Sequence, residues 1–142
     1  MKPSHQSSER NDAAVGAMQM NSPVLGFSHL QLCVRDVRAS VDWYCAVLGM
    51  DVMSEHGDVV ALRHREARLV IVVSPGEPDV AHSPIDHLAF AVADGPTLEA
   101  WATHLRTCGL NVPDVIEELG KPSLQLRDPD GNAVELVAPA PR

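Results

Sequence analysis

The sequence predicts an α+β fold: two tandem βαβββ modules forming a curved mixed sheet around a concave site, with helices on the outer face. The chain repeats itself: His29, Val34, Asp36 and Trp43 fall on His87, Val92, Asp94 and Trp101 at a single offset. Near the module ends Leu62, Arg63, Val70, Val73 and Pro75 lie over Leu126, Arg127, Val134, Val137 and Pro139. Each copy also reads as one helical stretch among runs of alternating character, and a unit of about 50 residues rarely buries enough apolar surface to stand alone.

Residues 1–22, rich in polar and charged side chains, read as a disordered tail, and residues 23–142 as a single domain. Module 1 spans about 24–75, the linker about 76–84 and module 2 about 85–139. "HLQLCV" (29–34) is the first strand. "DVRASVDWYCAVLG" (36–49) is a helix opened by a capping Asp and closed by a Gly suited to the left-handed position. Strands near 50–54, 58–64 and 67–73 complete the module, and "SPGEPDVAHSP" (74–84) supplies the turn formers of the linker. Module 2 repeats the order with "HLAFAV" (87–92), the helix "DGPTLEAWATHLRTCG" (94–109), and strands near 112–116, 122–127 and 132–138. Pro96 is tolerated in the first helical turn, and Leu98, Trp101, Ala102 and Leu105 form the apolar stripe that packs on a sheet.

Composition narrows the function. The 142-residue chain is 45% hydrophobic with a formal charge of −8, and it has no basic cluster interleaved with aromatics. No nucleic acid and no membrane partner is expected. Three cysteines, Cys33, Cys45 and Cys108, form neither a disulfide framework nor a Cys-x-x-Cys site, which fits a cytoplasmic protein.

Alternation along the strands places His29, Gln31 and Cys33 on the face opposite Leu30, Leu32 and Val34, and His87, Ala89 and Ala91 opposite Leu88, Phe90 and Val92. Glu135 shares a face with Ala133 and Val137, and on the preceding strand Ser123, Gln125 and Arg127 form the matching polar set. If the sheets curl toward each other, His29, His87 and Glu135 converge. Two imidazoles and a carboxylate with open positions suit one divalent ion per site, Fe(II), Mn(II), Ni(II) or Zn(II). Ser123, Gln125 and Gln31 are candidate substrate contacts on the same wall.

With these residues in view, the chain resembles the vicinal oxygen chelate superfamily, which groups glyoxalase I, bleomycin-resistance proteins, fosfomycin-resistance enzymes and extradiol dioxygenases. The likeness rests on "HLQLCVRDVRASVDWYCAVLGM", "DHLAFAV" and "LRDPDGNAVELVAP", and covers about residues 24–139. It implies metal ligation by His29, His87 and Glu135, a catalytic role for Glu135, and a small substrate chelated through neighbouring oxygens. It also implies a homodimer, in which a site is built within one chain or across two.

Ungapped, the repeat sets Glu135 against Ile71, where glyoxalase I carries a further carboxylate; that apolar residue disfavours a lactoylglutathione lyase. The resemblance therefore implies a metal-dependent enzyme with dioxygenase-like chemistry slightly ahead. The alternatives are a lyase or thiol transferase of the glyoxalase or fosfomycin-resistance type, or a metal-free drug-sequestering protein of the bleomycin-resistance type. Tyr44, the only tyrosine, is expected on a helix, away from the pocket.

Overall fold

The Asp side chains foreseen as caps open both helices. In the computed structural model, which describes residues 22–142, Asp36 accepts from the Ala39 N–H and Asp94 from the Thr97 N–H, at 3.0 and 2.8 Å. Helix α1 runs Val37–Leu48 and ends at Gly49, whose φ of 66° favours a residue without a Cβ. Helix α2 runs Gly95–Thr107. The Leu110 N–H then reaches back to the Leu105 carbonyl and the Gly109 N–H to that of Arg106, closing the helix with paired bonds. The tail expected over 1–22 lies, Ser22 apart, outside the described residues.

Two four-stranded mixed sheets carry the helices. The first joins β1 (Leu30–Val34), β4 (Leu69–Pro75), β3 (Val59–His64) and β2 (Asp51–His56), in that order. The second joins β5 (Leu88–Ala91), β8 (Ala133–Val137), β7 (Lys121–Arg127) and β6 (Ile116–Glu118). In each, the first strand lies parallel to the last and the other pairings are antiparallel, so both copies are βαβββ units. β6 is shorter and later than the expected 112–116. Pro113 has no N–H for a ladder, and Arg106 binds the carbonyls of Val112 and Pro113, which holds that approach as a loop.

Register corrects one alignment. Leu30 pairs with Ile71 and Gln31 with Val72, whereas Leu88 pairs with Val134 and Ala89 with Glu135. The β3–β4 turn is one residue longer than the β7–β8 turn, as Arg63 pairs with Val70 but Arg127 with Ala133. The counterpart of Glu135 is therefore Val72, not Ile71, because an inserted turn residue moves every later side chain to the other face of an ungapped alignment. Ile71 is fully buried beneath α1.

The helix-side faces hold the core. One cluster gathers Val34, Tyr44, Leu62, Ile71 and Val73, the other Leu98, Leu105, Leu124, Val134 and Leu136. They meet at Trp43, Leu48 and Phe90, which touch both. Polar bonds reinforce this junction. Trp101 Nε1 donates to the Val47 carbonyl at 2.9 Å, and the buried Tyr44 hydroxyl donates to Asp128 at 2.7 Å. Arg35 reaches Asp130 through its backbone N–H and its guanidinium, at 3.1 and 3.3 Å. The turn Asp128–Asn132 thus serves as a clamp on module 1. Tyr44 is committed to this core, as its place on the helix predicted. No described helix is long and apolar enough to cross a membrane.

Candidate metal centre

Opposite the core, β5 and β8 bring two predicted ligands together. His87 Nε2 stands 3.3 Å from Glu135 Oε2, with the histidine side chain half-exposed and the carboxylate mostly covered. Both donors are held from behind. The Asp86 carboxylate lies 2.7 Å from His87 Nδ1, and the buried Ser123 hydroxyl donates to Glu135 Oε1 at 2.7 Å. Nε2 and Oε2 are left as the atoms free to bind. The Asp86 hydrogen bond raises the His87 pKa; partial desolvation opposes it, while the charges of Glu135, Asp86 and Glu118 add to it.

The pair fits a divalent ion in chemistry and in spacing. With metal–ligand distances near 2.1 Å, two adjacent donors stand about 3.0–3.4 Å apart, which brackets the observed separation. A carboxylate behind the distal imidazole nitrogen, as Asp86 is placed, fixes the tautomer that leaves Nε2 as a ligand.

His29 is not brought to this pair. It is exposed, its Nδ1 lies 3.0 Å from Ser28 Oγ, and no three His, Cys, Asp or Glu side chains among the described residues are grouped to hold a metal. Gln31 lines a hollow of about 370 Å³ with Cys33, Asp79, His82, His87 and Arg127, on the His87 side of the pair and without Glu135 in its wall. Its amide also donates to Ser74 Oγ at 3.4 Å. Ser123, expected to contact substrate, is buried and bonded to Glu135. Gln125 is exposed and its amide donates to Glu118.

One neighbour of the site escaped the sequence: Asp86, although its place directly before His87 was a signal. His82, whose place in the linker let it approach a pocket without giving it a role, lines the hollow with Nδ1 3.0 Å from both Asp79 carboxylate oxygens.

Comparison with known proteins agrees with this architecture. The family model described as Glyoxalase/Bleomycin resistance protein/Dioxygenase superfamily matches residues 26–136. Among solved structures, a lactoylglutathione lyase from Agrobacterium tumefaciens superposes with a TM-score of 0.65 at 22% identity, covering 82% of this chain and 96% of its own. A glyoxylase/bleomycin resistance protein/dioxygenase domain from Frankia sp. EAN1pec gives 0.68 at 25%, over 81% and 92%. A variant of the fosfomycin resistance protein FosX from Listeria monocytogenes, in complex with Mn(II) and 1S,2S-dihydroxypropylphosphonic acid, gives 0.65 at 17%, over 80% and 89%.

Proposed function

The chain belongs to the Glyoxalase/Bleomycin resistance protein/Dioxygenase superfamily, and from that premise we propose that it is a metal-dependent enzyme acting on a small substrate with two neighbouring oxygens. The observation that carries this reading is the His87–Glu135 pair, spaced for a metal and supported behind each donor. A divalent ion bound there supplies Lewis acidity and a template for adjacent oxygens. FosX, crystallised with Mn(II) and a vicinal diol, gives a precedent for such a ligand on this fold.

The chain's own residues divide the work. His87 Nε2 and Glu135 Oε2 hold the ion, Asp86 keeps the imidazole in the ligating tautomer, and Ser123 fixes the carboxylate rotamer. Gln31, on the wall of the hollow that His87 also lines, orients substrate. The third ligand is His29 of a second copy. This reading rests on β1 and β5 both being sheet edges, and on His29 being exposed beside one of them. Val72 stands where a fourth carboxylate would, so the site lacks the extra base of a lyase, which favours dioxygenase-like chemistry over lyase chemistry.

Metal content tests the reading. Protein purified without chelator should carry close to one ion per chain, and His87→Ala and His29→Ala should each lose it. A heterodimer of those two variants should recover one of its two sites if ligands come from both chains, and none if each site lies within one chain. Full metal in His87→Ala would sink the assignment.

A further inference from the structure

We propose that Arg63 anchors a carboxylate of the substrate on the open face of the first sheet, a reading that rests on that face being the substrate face. Val60 and Leu62 point into the core, so alternation turns Val59, Ala61 and Arg63 to the opposite side. Arg63 pairs with Val70 on β4, and continuing the β1 register one residue before its first pair, Leu30–Ile71, sets His29 alongside Val70. Arg63 is therefore two strands, about 9–10 Å of sheet, from a proposed metal ligand on the same face.

Among the described residues no side chain pairs with its charge. Neighbours on this face are Ala61, Val70 and Val72, and Asp51, opposite Arg63 on β2, makes no ion pair with it. Among the described residues Arg63 Nε is buried without a hydrogen-bond partner. Among the described residues the other half-buried arginine, Arg106, is tied to two carbonyls and to Asp114.

The repeat supplies an internal control. Arg127 holds the equivalent position in module 2 and donates from Nη1 to the Gly131 carbonyl in the β7–β8 turn. The longer β3–β4 turn gives Arg63 no such acceptor. A guanidinium stays charged at any working pH, and the terminal nitrogens of Arg63, unlike its covered Nε, are open to an acceptor from outside the chain. The planar fork matches the two oxygens of a carboxylate, which selects a small acid whose carboxylate lies several bonds from its chelating oxygens.

Calorimetric titration of the full chain, with and without Mn(II), tests this with 3,4-dihydroxyphenylacetate and 4-methylcatechol, which differ by the carboxylate. Wild type should bind the acid at least about tenfold tighter than the neutral catechol. Arg63→Gln should abolish that preference while leaving 4-methylcatechol affinity unchanged. Arg63→Lys, which keeps the charge in the fold but lacks the fork, should retain only part of it. Absence of a preference in wild type, including failure to bind either compound, or its survival in Arg63→Gln and Arg63→Lys, overturns the proposal. The metal reading fails separately: binding of both compounds would then be indifferent to Mn(II) and to His87→Ala, while the carboxylate preference persists.

Discussion

Val72 on β4 and Glu135 on β8 occupy the same register position in the two modules, Val72 beside Gln31 and Glu135 beside Ala89. One copy of the strand offers a carboxylate to the open face and the other an isopropyl group. The site is asymmetric although the fold that carries it is repeated.

The register makes Ile71 and Val72 unequal. Ile71 is fully buried in the module 1 core, so Ile71→Ala should cost about 2–5 kcal/mol in urea unfolding, through lost burial and the cavity left behind. Val72, half-buried on the open face, should lose far less on truncation. Glutamate at position 72 should be tolerated, whereas at 71 it should prevent folding. Comparable losses at the two positions would put Ile71 on the wrong face.

Ser123 acts through Glu135. Its hydroxyl is buried and donates to the carboxylate oxygen turned away from His87. Ser123→Ala should weaken metal binding by about 10–100-fold, the usual effect of removing a group that orients a ligand. Competition with a chromophoric chelator measures this directly. Unchanged affinity would mean that Glu135 is positioned without it.

The Tyr44 hydroxyl is structural. Burial first, then the neighbouring charge of Asp128, holds its pKa far above the ordinary tyrosine value, so it remains a donor throughout the working range. Tyr44→Phe should cost about 1.5–3 kcal/mol, as expected for a buried hydrogen bond to a charged acceptor. Metal content should not change. A variant of normal stability that turned over substrate poorly would instead place Tyr44 in the reaction.

The sequence carried the fold further than the site. Capping Asp residues, closing glycines and alternating strands are local signals, and Asp36, Gly49 and Asp94 act as their neighbours foretold. Glu135 and His87 were legible because strand alternation and the repeat placed them on one face. The Ile71 alignment failed because an ungapped repeat cannot reveal one extra turn residue, which reverses the face of all that follows. Nothing local announced that Tyr44 would meet Asp128, 84 positions away. Such a pairing arises only when the two modules close on a shared core.

The α2 cap gives stability a defined pH dependence. Hydrogen bonds from the Thr97 side chain and backbone N–H to Asp94 hold its carboxyl below the ordinary aspartate value, against a small opposing effect of desolvation. Because the folded pKa is the lower one, the unfolded chain binds the proton more readily. The stabilisation is complete above the unfolded value of about 3.9 and is lost as pH falls through the folded value. Asp94→Asn separates charge from capping, since asparagine caps a helix about as well but carries no charge to favour the positive helix N-terminus. The difference in Tm between wild type and Asp94→Asn should therefore favour wild type near neutrality and shrink toward zero as the pH is lowered through the folded value. Other carboxylates titrate equally in both proteins and cancel in the difference. Thermal melts followed by circular dichroism across that range provide the measurement, and a gap that stays constant with pH would assign the cap's contribution to hydrogen bonding alone.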